Sequence, residues 1–160
     1  MNNSVLVTGS AGFIGAALSR VLVQHGWNVV GIDNINSYYD PSIKEFRLNN
    51  IISASKDGLG TFRLFRGDIC DAALVERLFS EHQFEYVVNL AAQAGVRYSI
   101  DNPRAYIESN LVGFYNILEA CRHHPVKHLV FASSSSVYGG NKKTPFSESD
   151  NVDHPVSLYA

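Results

Sequence analysis

Three glycines near the start of the chain have the spacing of a phosphate-binding loop. Gly9, Gly12 and Gly15 form the pattern G-x-x-G-x-x-G after the apolar run Val5-Leu6-Val7, and a segment of helical periodicity follows them. Free N–H groups and the dipole at a helix N-terminus favour an anion, and glycine lets a phosphate approach the backbone. Glycine turns between a strand and a helix also occur without any ligand. The pattern therefore indicates a phosphate site, with a plain strand-to-helix turn as the alternative.

An acid lies at the position where a dinucleotide site needs one. Asp33 closes the next apolar run, Asn28-Val29-Val30-Gly31-Ile32, and stands 24 residues after Gly9. A carboxylate about 20 residues after the glycine loop accepts from the adenosine ribose hydroxyls of a dinucleotide. It would repel a 2′-phosphate, and no Arg or Lys lies between Asp33 and Lys44 to offset that repulsion. The sequence therefore predicts NAD rather than NADP; the alternative is an aspartate that only ends a strand.

The hydrophobic pattern predicts the elements that would position these groups. Short β-branched runs alternate with longer segments of helical periodicity, and Asp71 and Pro103 are suited to helix starts. Such alternation specifies an α/β fold, a Rossmann-type doubly wound parallel sheet with helices on both faces. The predicted strands are 5–7, 28–32, 61–65, 86–90 and 128–132, and the predicted helices begin near residues 14, 41, 71 and 103. We expect the last helix to bury the stripe Ile107, Leu111, Phe114, Leu118 and Cys121.

Composition narrows the class of protein. The chain has 160 residues, of which 46% are apolar and 18% charged, with a formal net charge of −2. One domain is expected at this length, and the near-neutral balance predicts neither nucleic acid nor a membrane surface as partner. The sequence has no apolar run of about 18 residues for a membrane span and no signal-peptide core. Cys70 and Cys121 lack metal-ligand spacing, so we expect no metal site and a reducing, cytoplasmic location.

Five motifs carry a resemblance to a known family. In order, the chain contains Val7-Thr8-Gly9-Ser10-Ala11-Gly12-Phe13-Ile14-Gly15, Gly67-Asp68-Ile69, Asn89-Leu90-Ala91-Ala92-Gln93, Glu108-Ser109-Asn110 and Ser133-Ser134-Ser135-Ser136-Val137-Tyr138-Gly139. Over its whole length the chain resembles the extended short-chain dehydrogenase/reductase family, specifically its NAD-dependent nucleotide-sugar 4-epimerases. That family uses the G-x-x-G-x-x-G spacing where ordinary dehydrogenases have G-x-G-x-x-G.

The resemblance implies an NAD site built from the ends of successive strands. The glycine loop would meet the pyrophosphate, the end of the second strand the adenosine ribose, and the end of the third strand the adenine. The end of the fourth strand would line the path to the nicotinamide, and a helix asparagine would steady it. In that order the residues are Gly9, Gly12, Phe13, Ile14 and Gly15; Asp33 and Asn34; Asp68 and Ile69; Leu90, Ala91 and Ala92; and Asn110.

The resemblance also implies a reaction. NAD would take a hydride from C4 of a UDP-sugar and return it to the other face of a 4-keto intermediate. Ser134 would hydrogen-bond the reacting hydroxyl, and Tyr159 would carry its proton as the tyrosine of the family's Tyr-x-x-x-Lys pair. A free phenol has a pKa of about 10, so a pKa near 7 needs roughly 4 kcal/mol of differential stabilisation.

The position of Tyr159 raises an expectation about the extent of the chain. The chain ends one residue after Tyr159, before the lysine of that pair. We therefore expect residues 1–160 to be an NAD-binding Rossmann domain truncated at the catalytic tyrosine, without the C-terminal substrate domain. Such a fragment would keep part of the NAD site and be inactive alone. The resemblance implies that the full-length protein is a homodimer through its long helices.

The motifs narrow the sugar. Dehydratases of the family place an Asp-Glu pair where this chain has Ser135-Ser136, so we do not expect dehydration. The segments 33–40 and 93–99 resemble UDP-glucuronate 4-epimerases, and this resemblance suggests polysaccharide precursor supply. A sugar carboxylate needs charge-assisted donors. The expected substrate-binding residues are Gln93, Arg97, Ser134, Ser135 and Ser136, with a surface or interface ion pair as the alternative for Arg97.

Other functions stay open beside the leading prediction, conversion of UDP-glucuronate to UDP-galacturonate. Two of them also act on a UDP-sugar: UDP-glucose 4-epimerase differs from the leading prediction in its substrate, and UDP-glucuronate decarboxylase differs in its reaction. A third is a reductase or dehydrogenase of the same fold that consumes NAD stoichiometrically. The fourth is a non-catalytic NAD-binding module, although such a module has no need of both Ser134 and Tyr159.

Overall fold

Five parallel strands form a single sheet. The structure is a computed structural model that describes residues 3–160. Its strands are β1 (Ser4–Thr8), β2 (Asn28–Asp33), β3 (Thr61–Arg66), β4 (Tyr86–Asn89) and β5 (His128–Phe131). Their spatial order is β3-β2-β1-β4-β5, and every pairing is parallel. The order reverses at β1, and open α/β sheets bind ligands at the carboxyl ends of the strands beside such a reversal.

Helices follow each of the first four strands, and capping side chains start two of them. The helices are α1 (Phe13–Gln24), α2 (Pro41–Asp57), α3 (Ala72–Glu81), α4 (Tyr98–Asp101), α5 (Pro103–Tyr106) and α6 (Phe114–His123), with a π-helical segment (Ile107–Gly113) between α5 and α6. Asp40 caps α2 by accepting from the Ser42 N–H at 2.9 Å, and Asp71 caps α3 by accepting from the Leu74 N–H at 3.0 Å.

The core lies on both faces of the sheet. Alternate residues of β1 point to opposite faces, as the pleat requires. Leu6 belongs to a cluster with Leu78 of α3 and Ile117 of α6. Val5 and Val7 belong to a second cluster, which includes Val23 of α1 and Leu48 of α2. All of β1 is buried, so the predicted Rossmann-type parallel sheet with helices on both faces is confirmed.

The predicted buried face of the last helix is wrong at three of its five positions, while Phe114 and Cys121 are half-buried. Ile107, Leu111 and Leu118 are exposed, Leu111 by 61%. The residues Gly113, Ile117 and Ala120 are buried in their place. Both faces of this segment are apolar, so periodicity does not choose between them. The buried face is the one with small residues: a Cβ on Gly113 would lie 2.6 Å from Ile69 Cγ1, so only glycine permits this close packing.

After β5 the chain has little regular structure. One short 3₁₀ turn, Ser135–Tyr138, is its regular element up to residue 160. In the described range no helix is long and apolar enough to cross a membrane. Nor do the described residues bring three or more His, Cys, Asp or Glu side chains together in a group that could hold a metal ion.

Candidate functional site

The three glycines of the loop between β1 and α1 have no room for a side chain. Gly9 has φ of +65°, in the left-handed region, and a Cβ there would lie 2.9 Å from the Ala91 nitrogen. A Cβ on Gly15 would overlap the Gly9 carbonyl oxygen, so a glycine at this position lets α1 pack directly against the loop. The first turn of α1 carries neither an acid nor a capping side chain. Its free N–H groups and the positive end of the helix dipole therefore suit an anion such as a pyrophosphate.

Asp33 lies directly against this loop. It is 8% exposed, and its carboxylate accepts from the Ala11 N–H at 3.0 Å and from the Ile35 N–H at 2.9 Å. These two bonds fix the end of β2 to the loop. The spatial relation that the spacing predicted, an acid one strand away from the glycine turn, is present.

Lys44 of α2 is a site residue that the sequence argument missed. It is 5% exposed, and its Nζ donates to the backbone oxygen and Oδ1 of Asn36, at 3.0 and 2.9 Å. It also lies 4.0 Å from Asp33 Oδ1, and burial lowers the pKa of this lysine. A cation therefore does stand beside Asp33, contrary to the reasoning that favoured NAD over NADP. The helical stripe Lys44, Leu48 and Ile51 was the signal that Lys44 faces inward.

Asp68 and Asn34 close the same side of the site. The Asn34 side-chain amide donates to Asp68 Oδ2 at 2.8 Å, and the Cys70 N–H donates to Asp68 Oδ1 at 2.9 Å. Burial opposes the charge on Asp68, but these hydrogen bonds outweigh it and hold the pKa of Asp68 below its usual range. Ile69 is buried behind them against Gly113.

The carboxyl end of β4 is organised by one hydroxyl group. Thr8 Oγ1 donates to Asn89 Oδ1 at 2.8 Å and accepts from the N–H groups of Leu90 and Ala91, at 3.0 and 2.9 Å. Thr8 is fully buried. Its single hydroxyl therefore joins β1 to the turn that follows β4.

Asn110 holds the next part of that turn. Its Oδ1 accepts from the Gln93 N–H at 2.8 Å, and its Nδ2 donates to the Gln93 backbone oxygen at 3.0 Å. Asn110 lies in the π-helical segment, and such segments are frequent at functional sites. Asn110 thus steadies the segment after β4 through the backbone of Gln93.

These groups surround a cavity of about 200 Å³ at the carboxyl ends of β1, β2 and β4. Its wall also contains Tyr38, Tyr39, Lys44 and Ser109, none of which is among the predicted site residues. Phe13 and Ile14 lie outside the wall, 79% and 62% exposed on the first turn of α1. The wall brings together most of the predicted cofactor residues and one predicted substrate residue: Gly9, Gly12, Asp33, Asn34, Asp68, Ile69, Leu90, Ala91, Ala92 and Gln93.

The predicted catalytic and remaining substrate residues lie outside that wall. Ser134 Oγ accepts from the Ser136 N–H at 3.2 Å and also contacts Ser136 Oγ at 3.2 Å, while Ser135 is exposed. Tyr159 is half-buried, with its ring edge-to-face against Tyr106 at a centroid distance of 5.7 Å. The structure therefore connects Tyr159 to the cavity through neighbours rather than directly.

Arg97 is exposed at the start of α4. Within residues 3–160 its guanidinium makes no ion pair or hydrogen bond. The surface ion pair considered as the alternative role for Arg97 is therefore not formed among the described residues.

The sheet order, the glycine loop and the acid at the end of β2 define a Rossmann-type α/β domain. Its residues 6–160 match the family described as GDP-mannose 4,6-dehydratase, and the chain belongs to that family. UDP-glucuronate 4-epimerase 3 of Arabidopsis thaliana is 52% identical over 158 residues, which are 98% of this chain and 35% of that protein.

Solved structures of nucleotide-sugar 4-epimerases also align with this chain. A variant of UDP-glucuronic acid 4-epimerase from Bacillus cereus, in complex with UDP-4-deoxy-4-fluoro-glucuronic acid and NAD, aligns with a TM-score of 0.84 and 32% identity, covering 98% of this chain and 47% of that one. UDP-glucose 4-epimerase from Bifidobacterium longum, in complex with NAD⁺ and UDP, aligns with a TM-score of 0.83 and 30% identity, covering 98% of this chain and 44% of that one.

These relatives confirm the predicted resemblance to nucleotide-sugar 4-epimerases, and both solved relatives are complexes with NAD, the predicted cofactor. The chain spans about a third to a half of the length of the curated relatives it matches.

Proposed function

We propose that this chain is the NAD-binding part of an enzyme that inverts C4 of a UDP-sugar, converting UDP-glucuronate to UDP-galacturonate. The observation that carries the proposal is the cradle formed by the glycine loop, Asp33 and the end of β4 around one cavity. A Cβ on Gly9 would lie 2.9 Å from the Ala91 nitrogen and one on Gly12 would lie 3.0 Å from the Gly9 oxygen, so the two glycines let the loop pack tightly at the edge of the cavity. The residues present therefore fit a dinucleotide.

We assign the ends of the dinucleotide to the two sides of the cavity. The α1 N-terminus would bind the pyrophosphate, Asp33 and Asn34 the adenosine ribose, and Asp68 and Ile69 the adenine. Leu90, Ala91 and Ala92 would line the nicotinamide side, with Thr8 holding the N–H groups of Leu90 and Ala91 and Asn110 holding the Gln93 backbone that follows. When bound, NAD would supply a reversible hydride acceptor.

The proton chemistry falls to two hydroxyl groups of this chain. We propose that Tyr159 Oη accepts the proton of the sugar 4-hydroxyl and returns it, and that Ser134 Oγ orients that hydroxyl. Both roles rest on the family motif, with Tyr159 half-buried beside Tyr106 as the supporting contact.

Three features favour glucuronate as the sugar. The guanidinium of Arg97 has no anionic partner among the described residues, so it is available to a carboxylate. Gln93 reaches the cavity wall, and the relatives named above include two UDP-glucuronate 4-epimerases. Although the family is described by a dehydratase, Ser135 and Ser136 are not acids, so we do not propose dehydration.

We further propose that the complete gene product is a homodimer through the long helix. The long helix carries five apolar side chains that are 41–61% exposed: Ile107, Leu111, Val112, Tyr115 and Leu118. A second copy of the same face would cover them.

The cytoplasmic location and the role in polysaccharide precursor supply stay predictions. Since these residues are about a third to a half of the relatives' length, we expect them to bind NAD without turnover when isolated.

Calorimetric titration with NAD and NADP tests the cofactor half of the proposal. Asp33→Asn should weaken NAD binding about 10- to 100-fold, because a charged hydrogen bond to a ribose hydroxyl is worth about 1.5–3 kcal/mol. Asp57→Asn, at the exposed end of α2, is the matched control and should bind as the wild type does. Equal affinity of the Asp33 variant, or tighter binding of NADP than NAD by the wild type, would contradict the assignment.

Incubation of the complete gene product with UDP-glucuronate tests the reaction. We expect UDP-galacturonate to form without net reduction of NAD. Loss of carbon dioxide would indicate a decarboxylase, stoichiometric NADH a dehydrogenase, and turnover of UDP-glucose alone the neutral-sugar epimerase. NAD binding with no turnover of any of these sugars would leave the binding module as the function.

A further inference from the structure

One buried tyrosine joins the segment after β4 to Tyr159. Tyr106, the last residue of α5, is 2% exposed. Its hydroxyl donates to the Ala94 backbone oxygen at 3.0 Å and also to the Gly95 backbone oxygen. The edge of its ring meets the ring of Tyr159 at a centroid distance of 5.7 Å and an interplanar angle of 71°. A single side chain thus contacts two parts of the proposed site that the chain itself keeps far apart.

The Ala94–Gly95 turn depends on such contacts. Gly95 has φ of +102°, in the left-handed region that favours glycine. The Ala94 oxygen also receives the Gln93 side-chain amide at 3.3 Å and the Tyr38 hydroxyl at 3.5 Å, both longer than the bond from Tyr106. Arg97 follows two residues later, at the start of α4. The Tyr106 hydroxyl therefore holds the start of the segment that leads to Arg97, while Ser99 holds its end by donating from Oγ to the Val96 backbone oxygen at 2.6 Å.

The Tyr106 phenol is suited to donate rather than to titrate. Burial raises the pKa of Tyr106, so its hydroxyl keeps its proton near neutral pH. A tyrosine that only fills the core needs one acceptor for its hydroxyl. The one hydroxyl proton of Tyr106 is shared between two backbone oxygens of the turn, and its ring is presented to the predicted proton carrier.

We propose that Tyr106 is a positioning residue that sets the substrate segment 94–97 and the Tyr159 ring relative to each other. Its hydroxyl holds the turn that carries Arg97, and its ring holds Tyr159. The two functions are separable by substitution, because phenylalanine keeps the ring and removes the hydroxyl, whereas leucine removes both. This inference rests on the proposed function.

Steady-state kinetics of the complete gene product separate the two functions. Tyr106→Phe should raise KM for UDP-glucuronate about tenfold with kcat within about twofold, because the turn loosens while Tyr159 keeps its neighbour. Tyr106→Leu should show the same rise in KM and an additional fall in kcat of about tenfold or more. Tyr86→Phe, at the opposite end of β4 with its ring against Trp27, is the matched control and should change neither constant. Bound NAD per polypeptide, read from absorbance, should equal that of the wild type in all three variants.

Amide hydrogen exchange gives a readout that needs no turnover. Residues 94–97 should exchange about tenfold faster in Tyr106→Phe than in the wild type and be unchanged in Tyr86→Phe. Unchanged exchange would overturn the inference. So would a loss of bound NAD in parallel with activity, with KM and kcat per loaded site at wild-type values, since that is the result of a merely structural residue. If the wild type turns over no UDP-sugar while exchange responds as expected, the proposed function fails and the link through Tyr106 stands.

Discussion

Replacing Thr8 by valine should destabilise the protein by about 2–4 kcal/mol. Valine has nearly the same shape as threonine, so the substitution removes the hydroxyl and leaves packing intact. Three polar groups lose their partner: Asn89 Oδ1 and the N–H groups of Leu90 and Ala91. A buried polar group left without a partner costs about 1–3 kcal/mol. Asn89 is 7% exposed and bears this cost in full, whereas the two amides border the cavity and can gain water, which lowers the total.

Urea unfolding followed by far-UV circular dichroism measures this loss. Thr8→Ser is the matched control, because it keeps the hydroxyl and removes one methyl group, at a cost of about 1 kcal/mol. The variants should have the same dependence of free energy on urea concentration, so that the midpoint reports stability. If Thr8→Val unfolds within about 0.5 kcal/mol of the wild type, or if serine costs as much as valine, the hydroxyl does not organise the end of β4 and the argument is refuted.

Two further predictions concern buried polar groups near the cavity. The Ser10 hydroxyl is fully buried with no hydrogen-bond partner among the described residues, so Ser10→Ala should raise the free energy of unfolding by up to about 1 kcal/mol in the same assay, and a loss of stability would show that the hydroxyl is bonded. The pKa of Asp68 lies below its ordinary value of 3.8 in the folded protein, so its contribution to stability is complete above that pH and is lost as the pH falls through the folded value. Asp68→Asn should therefore lose less stability on acidification below about pH 4 than the wild type or the exposed-acid control Asp57→Asn, and parallel pH curves for all three proteins would contradict this.

Much of the fold was predictable because its signals are local. Strands such as β4 are short apolar runs between polar turns, and the glycine loop and Asp33 stand at a spacing that only one supersecondary unit explains. The face of the long helix was not predictable, since Leu111 and Ile117 are equally apolar and the choice depends on Ile69 packing against Gly113.

The partners in the contacts that complete the site could not be predicted, although the stripe Lys44, Leu48 and Ile51 indicates that Lys44 faces inward. The Lys44 ammonium on Asn36 and the Tyr106 hydroxyl on the Ala94–Gly95 turn join residues from different elements, and no spacing rule encodes such meetings. The π-helical segment could not be predicted either, because no residue pattern in this chain marks its wider turn. The sequence placed Asp33 beside the glycine loop and the resemblance supplied Asn110, but Thr8, Lys44 and Tyr106, which also hold the site, were missed.

The burial of Lys44 beside Asp33 has a consequence for how the two ends of the cavity respond to ionic strength. Charges withdrawn from bulk solvent are screened only weakly by dissolved ions, whereas exposed charges more than about 8 Å apart are largely screened at physiological salt. The side chains of Lys44 and Asp33 are almost inaccessible to solvent, whereas Arg97 is exposed. The affinity for the proposed dinucleotide at the Asp33 end should therefore depend less on salt concentration than the affinity for the proposed anionic sugar at the Arg97 end.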